Sequence, residues 1–234
     1  MKKRHLHLLL AAATLIFSTT LEARRHYYPS YSNSEQAGVE KNTPGAFDYY
    51  LLALSWSPDY CATASNTTPQ CSIGKKLGFV LHGLWPQFER GYPQNCTNTP
   101  FPYELKEQFP SLYPSDQLMK HEWKKHGTCT GLNPEAYLAL SNQLKNRINI
   151  PQNYRQPDQP FRTTIDELRA AFSSVNGALN ANAIGMSCSG NGRFLREVYI
   201  CFDKLNNPRS CSPEVLKRTF KSCAQPDFLV QSIR

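Results

Sequence analysis

Apolar and aromatic residues gather in four short segments that predict β-strands. Residues 47–56 are dense in such side chains and stop at a Ser-Pro pair, which is typical of a buried strand. Residues 77–85 form a second apolar segment, which we expect to end at Pro86 because proline cannot donate to a strand ladder. Segments 183–188 and 193–203 surround a glycine-rich turn and predict a β-hairpin.

The second strand of this hairpin shows a regular alternation of side chains. One face would carry Val198, Ile200 and Phe202, and the other would carry Glu197, Tyr199 and Cys201. A period of two residues is typical of a strand whose two faces meet different surroundings.

The pattern changes to a helical period over residues 116–126. Ser115 and Asp116 are good N-cap residues for this helix. Gly127 follows its last residue and suits the left-handed conformation just past a helix end. The sequence therefore predicts a short helix with well-marked ends.

Cap residues followed by apolar periodicity predict four further helices. They cover residues 103–109, 134–147, 165–173 and 213–221. Thr164 and Glu167 have the spacing of a capping box at the start of the third. Because strands and helices are segregated along the chain, the predicted fold class is α+β.

The N-terminal residues have the composition of an export signal. Residues 1–23 begin with basic residues, continue with an apolar run too short to span a bilayer, and end at Ala23. We expect cleavage there, export to the periplasm or the extracellular space, and a flexible leader over residues 24–46. Residues 47–234 are enough to form a single catalytic domain with one core.

The charge of the chain favours anionic ligands. Loss of residues 1–23 removes three basic residues and one acidic residue, which lowers the formal net charge from +8 to +6. A basic exported protein is suited to polyanions such as nucleic acid or acidic glycans, although many secreted proteins are basic.

All eight cysteines lie after the predicted signal peptide. An even number of cysteines in an oxidising compartment predicts four disulfides. The sequence alone does not choose among the possible pairings. We expect the local pairs Cys61–Cys71 and Cys201–Cys211, because each encloses a short polar loop.

Four chemically active residues share one face of the predicted helix 116–126. At roughly 100° per residue, His121, Glu122, Lys125 and His126 fall within about 140°, whereas Trp123 points elsewhere. Such a face can take up a proton, return it, and neutralise an anion. These properties suit phosphoryl chemistry.

Two alternatives exist for this helix face. A solvated basic helix end would also place cations near the C-terminal end of the helix dipole. A zinc site of the zincin type requires histidines four residues apart, whereas His121 and His126 are five apart. No third residue with metal-ligand spacing accompanies them, so we expect neither a metal nor another cofactor.

A further histidine, His82, lies in the apolar segment 77–85. A lone histidine in such a run is commonly a core residue with satisfied nitrogens. Gly83 directly after it would allow a ligand or another backbone to approach closely. His82 is therefore also a candidate functional residue.

Residues 79–86 and 121–129 together resemble the two catalytic segments of the ribonuclease T2 family. Both segments are nearly unbroken and stand in the family's order, and the resemblance extends over most of residues 47–223. It implies a central antiparallel sheet with helices packed against it. It also implies a metal-independent endoribonuclease that cleaves single-stranded RNA by transphosphorylation, through a 2′,3′-cyclic phosphate to 3′-phosphate ends.

The resemblance assigns roles position by position. His126 resembles the general base on the 2′-hydroxyl, and His82 resembles the general acid on the 5′-oxygen. Glu122 and Lys125 resemble the groups that stabilise the phosphorane, and His121 resembles a phosphate contact. The pattern of residues agrees, since a helix face and a separate strand can approach the phosphate from opposite sides, as in-line displacement requires.

The resemblance also concerns base binding and disulfides. Trp85 and Tyr92 resemble residues that stack the base upstream of the cut, although Trp85 could equally pack in the core. Gln87 stands where some members carry an acidic residue that biases base choice, so the base preference stays open. The family's pairing implies Cys96–Cys129 and Cys188–Cys223.

We therefore expect an exported, monomeric ribonuclease whose partner is single-stranded RNA. A zinc peptidase is the enzymatic alternative, which dialysis against a chelator would distinguish. A protein whose RNA cleft serves only recognition is the non-enzymatic alternative, and an RNA cleavage gel would decide. The second alternative is disfavoured because the proposed catalytic residues are all present, namely His82, Glu122, Lys125 and His126.

Overall fold

The computed structural model describes residues 42–64, 68–72 and 74–233. The predicted signal peptide and residues 24–41 of the predicted leader lie outside these ranges. The strands are β1 (Tyr49–Trp56), β2 (Phe79–Gln87), β3 (Phe161–Thr163), β4 (Ile184–Ser189), β5 (Phe194–Phe202) and β6 (Phe228–Val230). The α-helices are α1 (Ser57–Thr63), α2 (Leu105–Gln108), α3 (Asp116–Lys125), α4 (Pro134–Asn146), α5 (Ile165–Val175) and α6 (Pro213–Ser222).

The six strands form one sheet, in the order β2-β1-β5-β6-β3, with β4 paired to β5. The pairs β1–β2, β1–β5, β4–β5 and β3–β6 are antiparallel. The contact between β5 and β6 is parallel and joins Phe194 to Leu229. The α+β class and the antiparallel centre of the sheet are thus confirmed, with one parallel connection that the sequence did not predict.

Strand β1 is buried on both faces, which explains its continuous apolar sequence. Leu52 and Leu54 join the large core cluster that also contains buried side chains of α3, α4 and α5. Leu51 and Ala53 join a smaller cluster with Val215 of α6. The sheet is therefore covered by helices on both faces, and α6 lies on the face opposite the large core.

A β-bulge interrupts β2 at His82. Ala53 pairs with Gly83 and Leu54 pairs with Leu81, so that His82 has no partner in the ladder with β1. The extra residue lets Leu81 and Leu84 enter the same core cluster although three positions separate them. Bulges commonly redirect a side chain next to an active site, and here the redirected side chain is His82.

Several element boundaries differ from the predicted ones. Strand β2 continues through Pro86 to Gln87, so the predicted end at Pro86 is wrong. Because β2 lies at the edge of the sheet, a residue without an N–H can be accommodated there. Helix α2 is shorter than the predicted 103–109, and α1, β3 and β6 were not predicted. The capping box of Thr164 and Glu167 is confirmed.

Helix α3 begins as predicted but ends differently. The Ser115 hydroxyl accepts a hydrogen bond from the Leu118 N–H, which confirms the N-cap. Gly127 does not adopt the left-handed conformation, and it begins a 3-10 turn instead. A Cβ atom at Gly127 would lie 2.4 Å from the Trp123 ring. Close packing, rather than backbone conformation, is therefore what requires glycine at this position.

The eight cysteines form four disulfides. The bonds are Cys61–Cys71, Cys96–Cys129, Cys188–Cys223 and Cys201–Cys211, the same pairs that the loops and the resemblance indicated. Cys96–Cys129 attaches a loop to the turn that follows α3. The Gly45 N–H donates to the Cys129 carbonyl, so the last residues of the predicted leader contact the same turn. No helix in the described ranges is long and apolar enough to cross a membrane.

Candidate active site

The sheet face that carries α6 opens into a cavity of about 630 Å³. Residues of β2, α3, β5 and α6 line it, together with Tyr92 from the loop that follows β2. All seven site residues predicted from the sequence line this cavity: His82, Trp85, Tyr92, His121, Glu122, Lys125 and His126.

The amphipathic pattern of α3 explains why its functional residues turn towards the cavity. Met119 and Trp123 are buried in the large core cluster and hold one side of the helix against the protein. His121, Glu122 and Lys125 lie on the cavity side. His126 is the C-cap residue, and its backbone N–H donates to the Glu122 carbonyl at 2.9 Å.

Gly83 provides the space that Glu122 occupies. A Cβ atom at position 83 would lie only 1.9 Å from Glu122 Oε2. This oxygen accepts a hydrogen bond from Trp85 Nε1 at 2.7 Å. The close approach expected at Gly83 is therefore made by a side chain rather than by a ligand or a backbone.

Glu122 is almost completely buried, with an exposed fraction of 1%. Burial raises its pKa to about 7, although the charge of His82 and the hydrogen bond from Trp85 oppose this effect. At acidic pH this carboxyl group therefore carries a proton and can donate a hydrogen bond.

His82 lies between two carboxylates. Its Nδ1 is 2.5 Å from Glu197 Oε1, and its Nε2 is 3.7 Å from Glu122 Oε1. Burial by itself lowers the pKa of His82, but the hydrogen bond and charge of Glu197 and the charge of Glu122 outweigh burial. The pKa therefore lies above its ordinary value, and protonated His82 can act as an acid.

Glu197 is a site residue that the sequence analysis missed. It lies on β5 and is 6% exposed. Burial raises its pKa, but hydrogen bonds with His82, Tyr199 and Ser55 lower it to about 2. A signal was present, because an acidic residue in the middle of a largely apolar strand requires a partner when buried.

His126 has the opposite surroundings. It is 4% exposed and stacks on Trp85, with ring centroids 5.2 Å apart. Burial lowers its pKa to about 3, and the positive charges of Lys125, His82 and His121 act in the same direction. Its Nδ1 makes no hydrogen bond to another residue in the described part of the chain. His126 is therefore neutral, with a nitrogen lone pair available, over a wide range of pH.

The remaining predicted residues surround these two imidazoles. Tyr92 lies 6.1 Å from the His126 ring, measured between centroids. Trp85 contacts the rings of both His82 and His126, so it helps to hold both imidazoles as well as lining the cavity. His121 is largely exposed, and its partial desolvation, followed by the charge of Lys125, lowers its pKa.

Helix α6 adds two cations to the lining of the cavity that were not predicted from the sequence. Arg218 and Lys221 of α6 are exposed and line the cavity. Arg218 also lies 3.6 Å from Glu214, one helical turn earlier. Among the described residues, no group of three or more His, Cys, Asp or Glu side chains is arranged to hold a metal ion.

Comparison with known proteins identifies the family of the chain. The model of the ribonuclease T2 family matches residues 47–211. The chain is 40% identical over 217 residues to a ribonuclease of Aeromonas hydrophila, an alignment that covers 88% of this chain and 94% of that protein. It is 30% identical over 182 residues to extracellular ribonuclease LE of Solanum lycopersicum, which covers 69% of this chain and 79% of that protein.

Solved structures share the fold. An RNase-related protein from Calystegia sepium superposes with a TM-score of 0.63 at 23% identity and covers 80% of this chain and 97% of its own. Ribonuclease MC1 from bitter gourd seeds gives a TM-score of 0.56 at 25% identity, and the match covers 68% of this chain and 91% of that chain. The family model matches well over half of the chain, so the chain belongs to the ribonuclease T2 family.

Proposed function

We propose that this protein is an endoribonuclease that cleaves single-stranded RNA by metal-independent transphosphorylation. One observation carries the proposal. Two histidines on different elements line one cavity, and their surroundings shift their pKa values in opposite directions. Titratable groups whose environments separate their pKa values are typical of an acid and base pair.

The first step uses His126 as the general base. Neutral His126 removes the proton from the ribose 2′-hydroxyl, and the 2′-oxygen attacks the adjacent phosphorus. The low pKa of His126 keeps it neutral at acidic pH, so the base stays competent where other histidines are protonated. The nucleophile belongs to the substrate, so no activated water is needed in this step.

The phosphorane that forms carries additional negative charge. Lys125, which lines the cavity beside His126, would neutralise part of it, and His121 would contact a phosphate oxygen. Glu122 would donate a hydrogen bond from its protonated carboxyl group, since a pKa of about 7 leaves it neutral at acidic pH. A neutral donor stabilises the phosphorane without repelling it.

His82 completes the cleavage as the general acid. Its proton passes to the 5′-oxygen, that oxygen leaves, and a 2′,3′-cyclic phosphate remains. Hydrolysis then reverses the roles, because His82 can take a proton from water and His126 can return one to the 2′-oxygen. The product is a 3′-phosphate end.

The rest of the cavity would hold the RNA chain. Tyr92, and the part of Trp85 not covered by His126, would stack a base, an interaction that tolerates every base. Arg218 and Lys221 would bind phosphates that flank the cut. One chain supplies all these groups, which supports action as a monomer.

A single-ribose substitution tests the mechanism. Purified protein is incubated in excess chelator with a short RNA and with the same RNA carrying one deoxyribose, and the product ends are identified by mass. We expect cyclic and 3′-phosphate ends from the RNA, and no cleavage after the deoxyribose while neighbouring bonds are cut. DNA of the same sequence is the control, and we expect it to inhibit without being cut. Cleavage at the deoxyribose, or loss of all cleavage in chelator, would refute the mechanism.

Export through residues 1–23 and a domain that begins near residue 47 belong to the same proposal. The four disulfides support an oxidising compartment. Expression of the full chain, followed by N-terminal sequencing of the exported protein, tests the export signal. A first residue near Arg24 is expected, and an uncleaved N-terminus would contradict the proposed signal peptide.

A further inference from the structure

Glu197 is a buried carboxylate that the cleavage steps above do not use. We propose that Glu197 is a positioning residue, which keeps a proton on Nδ1 of His82 so that Nε2 is the nitrogen that exchanges protons with the substrate. The inference rests on the proposed function, because it assigns a partner to the general acid of that reaction.

The geometry of the His82 ring carries the first step. Glu197 Oε1 lies 2.5 Å from Nδ1, and an ionised carboxylate can only accept a hydrogen bond. The proton in this bond therefore belongs to Nδ1. Nε2 lies on the other side of the ring, 3.7 Å from Glu122 Oε1, at the lining of the cavity. A second proton on Nε2 makes His82 an acid that faces the substrate.

The position of Glu197 is itself fixed by three strands. Ser55 of β1 donates to Oε1 at 3.0 Å, and Tyr199 of β5 donates to Oε2 at 2.6 Å. Ser187 of β4 donates to Oε2 at 3.3 Å. These donors hold the carboxylate in place and keep it ionised, so the carboxylate fixes the orientation of the imidazole.

Backbone irregularities bring the two side chains together. The bulge in β2 leaves His82 outside the ladder, and a second register shift between β4 and β5 leaves Arg196 unpaired, directly before Glu197. Two bulges on different strands thus flank one hydrogen bond. Such features commonly aim side chains at an active site.

The hydrogen bond would serve both chemical steps. In cleavage, the Nε2–H bond breaks and an O–H bond forms on the 5′-oxygen, while the proton on Nδ1 stays. Neutral His82 then presents a lone pair on Nε2. In hydrolysis this lone pair takes a proton from the attacking water, whose oxygen bonds to phosphorus as the 2′-oxygen leaves with a proton from His126. Glu197 remains ionised throughout.

Several charged groups surround His82, and they act in different directions. The negative charge of Glu197, and that of Glu122 where it is ionised, favours the protonated form of His82, and positive groups oppose it. The opposing groups are Arg196 on β5 and, where they carry a proton, His121 and His126 at α3. Of these five neighbours, Glu197 is the one within hydrogen-bond distance of the ring.

The substitution Glu197→Gln removes the charge while it nearly preserves shape. We expect kcat to fall, by less than the roughly 10²- to 10⁴-fold lost with an acid-base residue itself, and KM to change little. The alkaline limb of the pH profile should move about 1 unit or more towards lower pH, because His82 loses its stabilising charge. Glu197→Asp retains the negative charge, so its alkaline limb should lie between those of Glu197→Gln and the unsubstituted protein.

Asp59→Asn is a matched control. Asp59 is also a buried carboxylate, its partner is the Ser189 hydroxyl, and it does not hydrogen-bond to His82. The substitution makes the same change of charge but leaves the partner of His82 intact, so it should leave the alkaline limb in place. An unmoved limb in Glu197→Gln, or an equal shift in Asp59→Asn, would overturn the inference.

NMR of the labelled imidazole nitrogens in the unsubstituted protein tests the inference without any variant. We expect neutral His82 to carry its proton on Nδ1 and to titrate above 6.5, the ordinary value. Neutral His82 with its proton on Nε2 would overturn the inference while leaving the proposed function intact. Failure of the unsubstituted protein to cleave RNA would instead refute the proposed function.

Discussion

The two histidines of the cavity show how surroundings give one side chain two different chemistries. His82 lies on a strand between two carboxylates, whereas His126 lies at a helix end beside Lys125. Burial lowers the pKa of both. The carboxylates reverse this effect at His82, and the nearby cations reinforce it at His126. The charge of the neighbours, rather than burial, therefore separates the pKa values of the proposed acid and the proposed base.

Removing either imidazole should have the largest effect. We expect His82→Ala and His126→Ala each to lower kcat by about 10²- to 10⁴-fold, because each removes one proton transfer. His121→Ala is the comparison variant, and it should raise KM more than it lowers kcat. Steady-state kinetics on one RNA substrate measures all three. Near-normal turnover in either of the first two would refute the assignment.

Lys125→Ala should affect His126, one of the two histidines compared above. The loss of a charge next to the phosphorane should lower kcat by about 10²- to 10³-fold. The pKa of His126 should rise, because Lys125 is the largest cause of its lowering after burial, and the acidic limb should move to higher pH. Lys124→Ala is the control, since Lys124 is exposed and does not line the cavity. An acidic limb that stays in place would show that Lys125 does not tune the base.

The pH profile of the unsubstituted protein should report both environments. Cleavage requires neutral His126 and protonated His82. Activity should therefore fall at the acidic end only as the pH approaches the His126 pKa of about 3. At the other end it should fall as the pH rises through the Glu122 pKa of about 7, where that hydrogen-bond donor is lost, and above the raised His82 pKa. Measurement of kcat/KM across this range should give a broad maximum on the acidic side of neutrality, and a maximum at alkaline pH would contradict the assignment.

Opening Cys96–Cys129 should disturb the base more than the acid. The bond holds the turn that directly follows His126, whereas His82 is held by the sheet. Replacing both cysteines by alanine should cost about 2 to 5 kcal/mol of unfolding free energy, measured by denaturant titration. Below its unfolding temperature the variant should also lose activity. Removal of Cys61–Cys71, which closes a shorter loop, is the control and should leave kcat unchanged.

The two cations of α6 should have the smallest effect, because they contact neither imidazole through a hydrogen bond. The double substitution of Arg218 and Lys221 by alanine should raise KM for long RNA several-fold and leave kcat/KM for a dinucleotide unchanged. The slope of log affinity against log salt should become shallower by about 0.7 for each lost phosphate contact. Lys217→Ala is the control, since Lys217 is exposed on the same helix but does not line the cavity.

Features that lie within one element were predictable from the sequence. The helical period places His121, Glu122, Lys125 and His126 on one face, and the structure brings all four to the cavity. Cap residues predicted where α3 and α5 begin, because an N-cap contacts backbone groups only three residues away. The role of Gly127 could not be predicted in this way, because it depends on the packing of Trp123 and Tyr137 against it.

Features that join distant elements were decided by the tertiary structure. His82 meets Glu197 across 115 positions of sequence, and a bulge turns His82 towards it. The period-two pattern of the sequence does not predict this bulge. The sequence by itself determined the fold class, the active face of α3 and the candidate histidines, since these follow from local periodicity and residue chemistry. The resemblance indicated which histidine is the proposed acid, whereas the charges that would give it this role depend on the tertiary structure, because a pKa is shifted by charges close in space, whatever their separation along the chain.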